Sequence, residues 1–156
     1  MRDLNFILEN TWKYSDDPEK LIWTFQRVFE EYRENPIYLF EYANALDFLG
    51  KESEAIPLYQ QALSLGISGK RKIQAEIQLG SSFSVLGDHV SAITILSRVQ
   101  KETGDPAALI FLCIALFRSG ETKRSLKTAL SFILSGKHGL LPKYTRALSQ
   151  YLDKIN

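Results

Sequence analysis

The small and apolar positions of this chain recur in a fixed order. Ala43, Leu46, Gly50, Ala55, Tyr59 and Ala62 are separated by 3, 4, 5, 4 and 3 residues. Gly80, Phe83, Gly87, Ala92, Leu96 and Val99 repeat those separations, and so do Cys113, Leu116, Gly120, Ser125, Ala129 and Phe132. The sets begin 37 and 33 residues apart. Steps of three and four residues on either side of a glycine predict two helices, each with one inward stripe, joined by a tight turn. A small residue at 43, 80 and 113 suits a close crossing of those helices, and Ala55, Ala92 and Ser125 let the second dock on the first. Glycine at 50, 87 and 120 supplies positive φ at little cost. Tyr59 and Leu96 read as large wedges into the neighbouring hairpin; Ala129 is a poor wedge, so the third unit deviates. A hairpin of this kind cannot bury its stripe alone, so the units must stack.

The flanks extend the pattern. Carried backwards, the period puts Leu8, Trp12, Leu21, Phe25, Val28 and Phe29 at equivalent positions, with Glu9 at the small-residue crossing. Asp16 and Asp17 before Pro18 predict a capped helix start. Downstream, Tyr144, Ala147, Leu148, Tyr151, Leu152 and Ile155 follow the stripe of an amphipathic helix. Residues 66–72 and 135–139 read as flexible joints.

The stretch from Phe40 to about Leu134 resembles the tetratricopeptide repeat (TPR), and more narrowly the small bacterial family described as tetratrico peptide repeat, group 5. The residues that carry this are Phe40-Glu41, Ala45-Leu46-Asp47, Glu54-Ala55-Ile56-Pro57-Leu58-Tyr59, Ala62-Leu63 and Gln78-Leu79-Gly80-Ser81. Pro57 is the most telling, because a proline one turn into a helix removes a backbone donor. The resemblance implies an all-α, right-handed superhelical solenoid of helix–turn–helix hairpins. We expect one domain over residues 1–156: a degenerate N-terminal hairpin at 3–35, repeats at 36–69, 73–105 and 106–137, and a C-terminal capping helix at 140–156.

The resemblance also implies that the first helix of each hairpin lines a concave face. Counted from the turn glycines, that face takes Ile37, Phe40, Glu41, Asn44, Asp47 and Phe48 from the first repeat. The second gives Gln74, Ile77, Gln78, Ser81, Ser84 and Val85, and the third Ala107, Ile110, Phe111, Ile114, Phe117 and Arg118. Phe40, Asn44, Asp47, Phe48, Ile77, Ser81, Ile110, Phe117 and Arg118 are the expected contacts for a peptide or helix of a partner protein, with Phe40, Phe48 and Phe117 as anchors. Phe40→Asp or Phe117→Asp should then weaken capture without loss of helicity. The helix over residues 107–117 is apolar nearly all round. Either the C-terminal helix covers it, or a partner does, or a second copy does. TPR clamps for chaperone tails use lysine and arginine along the groove; Asn44 matches their asparagine, but Phe40 stands where the first lysine should be and repeats two and three offer only Arg118, so the resemblance does not imply such a clamp.

Composition narrows the chemistry. The chain is 45% hydrophobic and 24% charged with a net charge of +1, ordinary for a folded protein. The charge is polarised: residues 1–54 sum to −6 and residues 55–156 to +7. That asymmetry keeps open a self-assembling scaffold, or weak binding of nucleic acid or an acidic surface through the basic half. Those lysines fall mostly on outer helices without interleaved aromatics, so solvated outer faces are the default reading of them. One cysteine, Cys113, excludes an internal disulfide and suits a small buried hydrophobe. His89 and His138 lie beside turns with no partner at metal-ligand spacing. Gly80-Ser81-Ser82 lacks the lysine of a phosphate loop. We therefore expect no enzyme activity, no cofactor and no metal. The acidic N-terminus without an apolar core segment and the short longest apolar run argue for a cytoplasmic protein without a membrane span.

Overall fold

The computed structural model describes residues 3–135. Among these, eight α-helices follow one another and no strand occurs: α1 (Leu4–Trp12), α2 (Pro18–Tyr32), α3 (Pro36–Phe48), α4 (Glu52–Ser64), α5 (Gly69–Val85), α6 (His89–Thr103), α7 (Pro106–Arg118) and α8 (Thr122–Leu134). The expected capping segment at 140–156 and His138 lie outside the described residues.

Local chemistry sets the helix boundaries. Asn35 and Asp105 each accept hydrogen bonds from two amides of the first turn, and a proline follows each at the first helical position. Asp17 caps α2 by accepting from the single amide of Lys20, as its place before Pro18 predicts. Gly50, Gly87 and Gly120 end the hairpin turns with φ of 70°, 86° and 86°. α4 runs on through Pro57.

Each helix packs on its chain neighbours. In addition α3 touches α5 and α5 touches α7, whereas α4, α6 and α8 make no contact with one another. The first helices are therefore crowded on one side of the stack and the second helices splayed on the other, the curvature a concave inner face requires. The crossing positions behave as the spacing predicts. Ala43, Ala55, Tyr59, Ala92 and Leu96 are fully buried. A Cβ built on Gly80 would sit 2.7 Å from Leu96 Cγ, so the α5–α6 approach requires glycine. In the third hairpin the Ser125 hydroxyl donates to the Cys113 carbonyl at 2.7 Å, which satisfies a polar side chain at the docking position.

Three expectations need correction. Gly69–Lys72 are not a joint; they form the first turn of α5, which explains the longer 37-residue step into the second repeat. Glu9 does not occupy the crossing of the N-terminal hairpin. It is exposed, and Ile7, Leu8 and Thr11 point inward, because the loop from Trp12 to Pro18 is longer than the other hairpin turns and shifts the register of α1. Leu21 and Phe25 of α2 keep the period and are buried. Finally, Tyr59 reaches back to its own hairpin: its ring lies 6.2 Å from Phe40 and its hydroxyl bonds Asn44, both in α3.

Candidate binding cleft

The three first helices enclose a cleft of about 520 Å³ on the inner face. α3 contributes Phe40, Glu41 and Asn44, α5 contributes Gln74, Ile77 and Gln78, and α7 contributes Ala107 and Phe111, with Asp105 at its N-terminus. Phe40, Ile77, Ala107 and Phe111 form an apolar floor beneath a rim of amides and carboxylates. A concave site of this size, with polar groups converging over an apolar floor, is a normal setting for a bound ligand.

Each rim group has a defined state. Glu41 accepts from the indole of Trp12 at 3.1 Å and lies 3.9 Å from Arg71, so the N-terminal hairpin and α5 hold it from both sides. Asn44 uses its carbonyl oxygen to accept the Tyr59 hydroxyl at 2.8 Å. Asp105 turns one oxygen back to the amides of Ala107 and Ala108, at 2.7 and 3.4 Å. The side-chain amides of Gln74 and Gln78 make no hydrogen bond among the described residues.

Of the nine expected contact residues, Phe40, Asn44 and Ile77 meet in this cleft. Phe40 and Ile77 are themselves buried, so their apolar character serves packing and they act as floor, not as projecting anchors. Phe40→Asp would place a charge in the core and unfold the first repeat, which corrects the expectation that helicity would survive. Asp47 is also committed internally. It accepts the Ser82 hydroxyl at 3.0 Å and leans on the Tyr59 hydroxyl at 3.5 Å, joining α3 to both α4 and α5. Burial pushes its carboxyl above the usual range, and the Ser82 hydrogen bond opposes that shift. Phe48 is exposed beside the edge of Trp12, with ring centres 6.4 Å apart. Ser81 is half-buried. Ile110 and Phe117 are exposed, and Arg118 extends to Ser84 at 3.5 Å. Phe48, Ser81, Ile110, Phe117 and Arg118 do not line the cleft.

A family model described as tetratrico peptide repeat matches residues 36–155. The chain belongs to that family. Among solved structures, this TPR chain is similar to a variant of a Podosopora anserina protein described as a kinesin light chain with nearly identical TPR-like repeats. The likeness has a TM-score of 0.75 at 16% identity and covers 97% of this chain and 84% of that one. At that identity it speaks for the fold alone. No curated protein matches the sequence.

The chemistry elsewhere on the TPR stack is quiet. Cys113 is half-buried, and desolvation pushes its thiol up, away from the thiolate a nucleophile needs. His89 opens α6 with a buried Nδ1 that has no hydrogen-bond partner among the described residues. No group of three or more His, Cys, Asp or Glu side chains gathers at metal-binding distance among the described residues. No described helix is long and apolar enough to cross a membrane. Part of the basic half is internally paired: Arg98 with Glu76 and Glu102 at 3.1 and 3.2 Å, and Arg124 with Glu121 at 2.9 Å.

The sequence pattern alone did not reveal Asp105 as a cleft residue or Trp12 as the donor to Glu41. The signal for Asp105 was present as an acidic cap before proline, but its nearness to α3 and α5 follows from the curvature. The Trp12 contact spans two hairpins and leaves no local trace.

Proposed function

We propose that this protein is a non-catalytic binding module that takes a segment of a partner protein into the cleft between α3, α5 and α7. TPR stacks generally mediate protein–protein interaction. The observation that carries the reading here is the pair of uncommitted amides, Gln74 and Gln78, standing over the floor of Phe40, Ile77, Ala107 and Phe111. The floor offers apolar area, and the amides offer both donors and acceptors to a polar backbone or side chain. Gln78→Trp tests the reading, because it fills the cleft from a half-buried position without entering the core. In a nuclease-treated pull-down from the source lysate, a protein retained by the wild type should be lost with the variant, while circular dichroism stays unchanged. Equal recovery by the folded variant overturns the cleft as the binding surface.

A further inference from the structure

The cleft is charged against the rest of the chain. Glu41 and Asp105 stand in its wall, and none of its described lining residues is a lysine, arginine or histidine. The lining therefore carries −2 in a chain whose net charge is +1. Arg71 approaches Glu41 from outside the lining, at 3.9 Å, and is itself half-exposed. Counted in, it still leaves the site negative. Arg118, which bonds Ser84, stands at the other end of α7 from Asp105, about 20 Å along the helix.

The acceptors of the cleft are open. Asp105 gives its Oδ1 to the first amides of α7, and its Oδ2 makes no hydrogen bond among the described residues. Glu41 gives its Oε2 to Trp12, and the 3.9 Å between its Oε1 and Arg71 is too long for a hydrogen bond. The side-chain carbonyls of Gln74 and Gln78 are uncommitted as well. Beside these oxygens, Phe111 is half-buried and Ile77 and Ala107 add apolar surface. A lysine or arginine side chain answers both parts of such a site. Its stem lies along apolar surface, and its head is a donor with no acceptor, which carboxylates bind through charge-assisted hydrogen bonds. An acidic side chain in the same place would face like charge.

We propose that the partner segment taken into the cleft carries a lysine or arginine beside an apolar residue, and that Glu41 and Asp105 select it; this rests on the reading of the cleft as the binding surface. The test offers the full chain a peptide library with one fixed leucine flanked by randomised positions. Retained peptides should be enriched at least fivefold in lysine and arginine over aspartate and glutamate at one of those positions, and added salt should release them. The double variant Glu41→Gln, Asp105→Asn keeps an acceptor for Trp12 and a cap for α7, so it should fold like the wild type and lose the enrichment. Peptides that Gln78→Trp releases but that show no basic preference, or an acidic one, overturn this proposal and leave the cleft reading standing. A basic preference retained by the folded double variant overturns it too. If no peptide depends on Gln78 for its retention, the cleft reading falls and this proposal with it. Light scattering addresses a second copy: a dimer that the double variant dissociates would assign the two carboxylates to the basic half of another chain and overturn the partner segment proposed here.

Discussion

Gly80 shows how narrow the tolerances of the repeat are. Its missing side chain is where Leu96 sits, and a methyl group would have to displace the Leu96 branch point from 2.7 Å. Gly80→Ala should therefore destabilise the chain by about 1–3 kcal/mol, the usual cost of overpacking, despite the gain in helix propensity. Urea midpoints measured beside Ala43→Gly, which removes a methyl at the equivalent crossing, check the size of the effect. Asp47 makes a second residue-scale case. Its folded-state pKa is raised, so the folded chain binds that proton more tightly than the unfolded chain. The burial cost is then fully present above the raised pKa and relieved as pH falls through it toward the ordinary value of about 4. Asp47→Asn removes the titration. The stability difference between wild type and variant should shift toward wild type as pH drops from 7 to 4, read from denaturation at several pH values. A flat difference would mean that the carboxyl titrates alike in both states.

At the scale of the element, α1 is loosely held among the described helices, with slight contact to α2 and α3 alone. Its long-range polar tie is the Trp12 indole to Glu41. Trp12→Phe keeps most of the ring area and deletes that donor. Amide exchange in α1 should rise several-fold while α5 and α6 keep their protection, since local opening there does not pass through the second repeat. The elements also show what the sequence could disclose. The hairpins were legible because the crossing residues, the turn glycines and the docking alanines are local requirements of one fold. The start of α5 was not, since Ser68-Gly69 reads as turn chemistry and the helix nonetheless begins there. The register of α1 was hidden by a longer loop, which no periodicity can count through. For the candidate site, Asn44 and the floor residues Phe40 and Ile77 were found, but their burial depends on the next helix in the stack. An apolar residue awaiting a partner therefore looks the same in sequence as one already covered.

Across the described residues, every helix contact joins elements at most two apart in the chain. Those eight helices show no long-range closure, so their stability divides into hairpins and the interfaces between successive hairpins. The same arrangement bears on how the protein is made. Contacts between near neighbours impose little loop entropy before they are rewarded, which favours fast folding. As the chain leaves the ribosome, α3 and α4 can close around Tyr59 before α5 has been synthesised, and each later hairpin finds its platform already built. A lesion such as Gly80→Ala would then slow assembly at the second hairpin while the first one stands, a transient partial product that cellular quality control would meet as a nascent chain.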